Sequence, residues 1–139
     1  MADGPLELSI VTPERSVVHE AVDELEIPGS DGYFGVLPGH APLFSELKIG
    51  EVGYRQGSKW TFLAVAWGFA EVLPNQVRIL AESAERASEI DMERAKRAKQ
   101  RAEERLVRGT DDIDYDRCRI SLERAVIRIQ VASKSHSNL

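Results

Sequence analysis

A chain of 139 residues, 42% apolar and 29% charged, holds enough material for one real core and a small appendage. No apolar run approaches the roughly 18–20 residues that span a bilayer, and a lone cysteine, Cys118, excludes an internal disulfide and a Cys-x-x-Cys metal pair. The net charge of −5 is unevenly spread: residues 1–84 carry −7 and residues 85–139 carry +2, a split that suggests two parts with different partners.

The first residues, Met1-Ala2-Asp3-Gly4-Pro5, are acidic and lack an apolar stretch, so neither a signal peptide nor a transit peptide is expected, and a reducing cytoplasm is the simplest home. Residues 5–84 read as short strands between turns. Leu6, Leu8 and Ile10 alternate with Glu7 and Ser9. Val22, Leu25 and Ile27 continue an extended pattern that ends at Pro28-Gly29. The stretch from Trp60 to Trp67 is apolar at nearly every position, as in a strand covered on both faces. Phe69 to Leu73, then Pro74-Asn75-Gln76, then Val77 to Ala81 reads as a hairpin. Nine of the ten glycines and all six prolines lie before residue 85. Many short strands with Gly/Pro turns predict an antiparallel β-sandwich or flattened barrel.

After residue 85 the period changes. Ala95, Ala98, Ala102 and Leu106 form the stripe of one helix, which Gly109 stops. Thr110-Asp111-Asp112 offers caps for a second helix. There Tyr115, Cys118, Leu122, Ala125, Ile129 and Ala132 form a seam of helical period. Two helices joined by about four residues make an antiparallel hairpin. Ile113, Ile120, Ile127 and Val131 form a second stripe on the opposite side of that helix. A hairpin buries only one stripe, so the other is expected to dock on the β-domain or on a partner. The fold class is therefore α+β: an N-terminal antiparallel β-sandwich over 1–84 and a C-terminal antiparallel two-helix hairpin over 85–139.

Little in the chain resembles catalytic machinery. The three histidines, His19, His40 and His136, fit no zinc motif, and no nucleophile elbow, Walker loop or dinucleotide fingerprint is present. No catalytic residue and no metal site is expected. Two features leave alternatives open. The rigid loop from Gly35 to Leu43 is either a contact loop that presents His40 to a partner or a tight crossover with His40 bonded internally. Arg94 and Arg101 flank the alanine seam of the first helix, and Arg124 and Arg128 are i, i+4 neighbours on the second. If the hairpin closes with these edges adjacent, the four guanidinium groups converge and suit a phosphate, whose paired oxygens accept their forked donors. The same groups also suit an exposed ion-pair lattice. Glu85 and Asp91 either accept from a base or ribose or orient the arginines. Residues 91–108 carry 7 Lys/Arg against 4 Asp/Glu, which admits a nucleic-acid reading. The acidic pI and the lack of stacking aromatics in the hairpin stand against it.

The order of parts carries a resemblance. A sandwich with a Gly35-Val36-Leu37-Pro38-Gly39-His40-Ala41-Pro42-Leu43 loop is followed by Gly68-Phe69-Ala70-Glu71-Val72, Ala84-Glu85-Arg86 and Ile90-Asp91-x-x-Arg94-Ala95. The whole chain resembles the epsilon subunit of bacterial rotary F-type ATP synthases. The resemblance implies a non-catalytic rotor part whose sandwich binds the gamma subunit and sits on the c-ring. Ser30, Asp31, Gly32, Tyr33 and His40 would face that junction. The hairpin would switch between a compact state and one extended along gamma, where its basic residues meet an acidic segment of the beta subunit and inhibit ATP hydrolysis. No cofactor is required, but ATP is the expected regulatory ligand, on Glu85, Ile90, Asp91, Arg94, Ala95, Arg101, Arg124 and Arg128. The alternative is a static adaptor without a nucleotide site. The implied location is peripheral, on the cytoplasmic face of the bacterial plasma membrane, reached only through the complex. One departure is visible: many members carry two glycines before Phe-Ala-Glu-Val, where this chain has Trp67-Gly68.

Overall fold

The computed structural model describes residues 4–109 and 114–137, with side chains through 134. The chain divides into two compact units, one ending at Glu85 and one beginning at Arg86.

The first unit is built of strands β1 (Leu6–Val11), β2 (Ser16–Val22), β3 (Glu24–Gly29), β4 (Gly32–Val36), β5 (Leu43–Leu47), β6 (Gly50–Gln56), β7 (Lys59–Val72) and β8 (Gln76–Arg86). Hydrogen bonding links them in the order β2-β1-β8-β7-β5-β3-β4, with β6 pairing β3 and β7. The two halves of β7 have different partners. Lys59 to Val65 pairs with β6, whereas Gly68 to Val72 pairs with β5. One strand thus belongs to two layers, one running β4-β3-β6-β7 and the other β7-β8-β1-β2 with β5 at its side. Alternate residues face the space between the layers. Leu6, Leu8, Ile10, Leu25, Ile27, Val52, Leu63, Val72, Val77 and Ile79 are wholly buried there, and each such side chain contributes about 1.5–3 kcal/mol.

Several sequence expectations change in detail. The extended run through Val22, Leu25 and Ile27 is two strands, broken at Asp23, whose N–H donates to the Arg55 carbonyl at 2.7 Å. The sheet is not antiparallel throughout: β1 and β8 run parallel, Leu8 opposite Val77 and Ile10 opposite Ile79. Residue alternation sets which face a side chain takes but not the direction of its neighbour. The apolar run is covered on both faces only from Leu63 to Ala66. Trp60 and Phe62 are half-buried and stack at 6.0 Å.

The stretches Trp60–Trp67 and Phe69–Val72 are one strand, β7, with a corner between them. Trp67 has φ 49°, the only positive value at a non-glycine among the described residues, and Gly68 has φ 126°. A Cβ on Gly68 would lie 1.9 Å from the Leu80 carbonyl oxygen. Gly68 is therefore the position of close backbone approach, while Trp67 holds left-handed backbone at a cost of about 1–2 kcal/mol. Only the second of the two glycine positions is sterically obligatory.

Gly68→Ala should destabilise the sandwich by about 3 kcal/mol or more, from backbone overlap plus positive φ. A melt should fall by at least ~10 °C. Gly57→Ala, where φ is 63° and nothing lies within 4 Å of the new methyl, should cost only about 1 kcal/mol.

Candidate functional site

In the second unit a 3₁₀ turn (Ala87–Glu89) leads into helices α1 (Met92–Arg108) and α2 (Tyr115–Ser137). Glu89 Oε1 accepts from the Arg86 N–H at 2.9 Å. Ile90 is extended and buried. Asp91 is the N-cap of α1: its backbone is extended, and its Oδ1 accepts from the Arg94 N–H at 3.1 Å. Gly109, at φ 56°, ends α1 in the left-handed turn that glycine adopts without strain. The expected caps of the second helix, Thr110-Asp111-Asp112, lie outside the described residues, as does Ile113. The residue seen capping α2 is Asp114, whose Oδ1 accepts from the Arg117 N–H at 3.2 Å.

The helices pack along the expected seam. Ala95 and Ala102 on α1, and Cys118, Ala125 and Ala132 on α2, are buried. Ala98, Leu106, Leu122 and Ile129 are half-buried, and Tyr115 at the seam's end is exposed. In the second stripe Val131 is buried, with Ile120 and Ile127 half-buried.

Helical phase then places the arginines. Each directly precedes a seam residue: Arg94 before Ala95, Arg101 before Ala102, Arg124 before Ala125 and Arg128 before Ile129. In an antiparallel pair the positions preceding the seam on one helix adjoin those preceding it on the other, so all four share one edge. Their heights match too. Arg94 stands 14 residues back from Arg108, and Arg128 stands 13 residues on from Tyr115. At about 1.5 Å per residue the two levels differ by about 1.5 Å. The same count for Arg101 and Arg124 gives 7 and 9 residues, a difference of about 3 Å.

Arg94, Arg101 and Arg124 are exposed and Arg128 is half-buried. The guanidinium groups of Arg94 and Arg101 have no hydrogen-bond or ion-pair partner among the described residues, whereas Arg124 and Arg128 engage neighbours. Four like charges on one edge repel, and the i, i+4 pair Arg124–Arg128 does so directly. An anion with several oxygens would relieve that repulsion. Ala95 is buried in the seam, and its N–H donates to the Asp91 carbonyl at 3.0 Å. Glu85 lies at the end of β8 in the strand unit.

The sandwich carries two further surfaces. Ser30-Asp31 is a two-residue loop between β3 and β4, closed by the Gly29–Gly32 pair and held by the Ser30 N–H on the Glu46 carbonyl at 2.9 Å. Tyr33 lies under the Lys48 ammonium at 5.3 Å, and its hydroxyl accepts from the Glu51 N–H at 2.9 Å. The His40 loop joins β4 to β5. It is fixed by the Gly39 N–H on the Pro74 carbonyl at 2.8 Å, and the His40 Nδ1 lies 2.7 Å from the Ala41 carbonyl. His40 is thus bonded within its own crossover, at a half-exposed position.

The second surface was absent from the sequence expectations. On the outer face of β5, β7, β8 and β1, Phe44 stacks on Phe69 at 5.3 Å. Phe44 is 67% exposed and Leu80 is 58% exposed. With Val11, Glu71 and Arg78 they line a concavity of about 320 Å³.

Comparison with known proteins gives these surfaces a context. The family model described as ATP synthase, delta/epsilon chain, beta-sandwich domain matches residues 5–87, and that of the long alpha-helix domain of the same chain matches residues 88–133. The chain belongs to the ATP synthase delta/epsilon chain family. It is 50% identical to the ATP synthase epsilon chain of Syntrophobacter fumaroxidans over 130 residues, 94% of this chain and 97% of that one. It is 57% identical to the epsilon chain of Koribacter versatilis over 106 residues, 76% of this chain and 74% of that one. Among solved structures, a chain of the Euglena gracilis mitochondrial ATP synthase shares the fold with a TM-score of 0.70 at 20% identity, over 97% of this chain and 81% of that one. Members of this epsilon group are non-catalytic subunits of the synthase, and so is this chain. No helix among the described residues is long and apolar enough to cross a membrane.

The Phe44–Phe69 face is the exposed apolar feature that strand patterning hid. Its signal was present: Leu43 and Phe44 are consecutive apolar residues at the start of β5, and Leu80 shares the outward register of Arg78 and Glu82. Arg94→Ala and Arg101→Ala should leave the hairpin's helical signal and melting within about 0.5 kcal/mol. Ala95→Leu, which forces a larger group into the seam, should cost about 1–3 kcal/mol in the same melt.

Proposed function

We propose that this epsilon-type chain is a central-stalk part of a proton-translocating ATP synthase, with a hairpin that senses ATP. The sandwich couples a gamma-type subunit to the c-ring. The exposed Phe44–Phe69–Leu80 face docks on gamma, and the Ser30–Tyr33 turn and His40 loop meet the c-ring junction. The complex holds the chain at the cytoplasmic face of the bacterial membrane. The hairpin is compact when ATP occupies the arginine edge. When extended, its basic face meets an acidic segment of the beta subunit and restrains hydrolysis.

The observation that carries the nucleotide reading is the common edge of Arg94, Arg101, Arg124 and Arg128, paired in height across the seam. Forked donors on both helices let one triphosphate bridge them, so bound nucleotide would hold the hairpin closed. ATP shifts the switch only by its differential affinity for the compact state.

Calorimetry with the full chain tests this. Saturable ATP binding is expected, and Arg94→Ala and Arg128→Ala should each weaken it about 10- to 100-fold, the value of a hydrogen bond to a charged group. Unaltered affinity in either variant would count against the site. For the docking face, Phe44→Ser should leave the melt unchanged within about 0.5 kcal/mol, because the ring is largely exposed. It should reduce co-purification with the gamma subunit; undiminished capture would remove that surface from the account.

A further inference from the structure

We infer that the outer face around Phe44, Phe69 and Leu80 selects a protein segment in which one bulky apolar side chain is flanked by cations. The inference rests on the docking reading above and adds the chemistry of the segment that docks.

Strand register builds the face. Phe44 stands opposite Glu71, and Phe69 opposite Glu46, across β5 and β7. Ser9 stands opposite Arg78, and Val11 opposite Leu80, across β1 and β8. Every second residue of a strand shares a face, so rings and carboxylates alternate here as on a diagonal grid. The outward run of β8 continues from Leu80 to Glu82. An apolar floor is thus bordered by three acids, Glu46, Glu71 and Glu82, against the single cation Arg78.

These charges are uncommitted. The carboxylates of Glu46, Glu71 and Glu82 and the Arg78 guanidinium make no hydrogen bond or ion pair among the described residues. Elsewhere on the sandwich, charged groups are matched within the chain: His19 Nε2 lies 3.0 Å from Glu7 Oε1, and Arg55 Nε donates to Glu24 Oε1 at 3.0 Å. Open carboxylates around exposed rings repel phosphates, which argues against a lipid headgroup or a nucleic acid as the occupant. They attract a cationic protein segment, whose lysine or arginine stems pack on the rings while the charged heads reach the acids. The concavity of about 320 Å³ has room for one bulky apolar side chain, the kind of anchor that interfaces bury at their centre.

Rim charges act mainly on the rate of encounter, and salt screens them. The association rate of the full chain with the gamma subunit therefore tests the assignment. Glu46→Lys and Glu71→Lys are each expected to slow association about 3- to 10-fold at low salt, with the deficit shrinking as salt is added. Arg78→Gln is expected to speed it. Glu26→Lys makes the same change of net charge on β3, in the other layer, and is expected to stay within about twofold of the wild-type rate. All four side chains are exposed, and a melt of each variant checks that the fold is kept.

Rates for Glu46→Lys and Glu71→Lys equal to that of Glu26→Lys, or faster, would overturn the inference. Phe44→Ser separates it from the docking reading. Reduced capture of Phe44→Ser, with the rim variants matching Glu26→Lys, removes the cationic segment and keeps the docking face. Undiminished capture of Phe44→Ser removes the face, and the inference with it.

Discussion

The helical unit depends on side chains of a single methyl group. Ala95, Ala102, Ala125 and Ala132 are buried where α1 meets α2, and residues this small let two helix backbones approach closely. Close approach fixes the rotational phase of both helices. Once the phase is fixed, the residue before each seam position has no freedom to choose its side, and four arginines are carried to one edge. The electrostatics of the hairpin are thus a consequence of its packing. A larger seam residue would separate the helices and disperse the charge together.

The sandwich is governed by a comparable constraint on the backbone. Strand β7 serves two layers because the chain turns a corner at Trp67-Gly68, where Gly68 passes against the Leu80 carbonyl. That corner keeps the second half of β7 in register with β5, and this register sets Phe44 diagonally against Phe69 on the outside. The exposed aromatic pair therefore derives from the same turn that closes the core. Trp67 holds a left-handed conformation in which glycine is the ordinary choice.

Much of this was legible in the sequence, for physical reasons that differ by element. Alternation at Leu6, Leu8 and Ile10 revealed β1 because a half-buried strand must alternate. The 3- and 4-residue spacing of the alanines revealed the seam, and Gly109 marked the end of α1. Other features left no unambiguous trace. The corner at Trp67-Gly68 is only half signalled, since of its two positive-φ residues only the second is a glycine. The parallel pairing of β1 with β8 is invisible to periodicity. The cap of α2 fell at Asp114 because the run from Thr110 to Asp114 contains several residues of equal capping ability. Phe44 and Leu80 were absorbed into strands, as apolar residues in a β-pattern read first as core. The arginine edge was half legible: spacing placed the charges beside the seam, and only antiparallel packing paired their heights. That Asp91 caps α1 is visible only in the structure, since an acid three residues before an arginine reads equally as an ion pair, a ligand or a cap.

The central claim is that one edge of the hairpin is a nucleotide site. Its most direct measurement is an amide-resolved NMR titration of the full chain with ATP. The account predicts saturable shifts centred on residues 94, 101, 124 and 128, with the seam residues between them slowing in exchange as the hairpin is held. Absence of shifts up to millimolar ATP, or shifts confined to the strands, would contradict it.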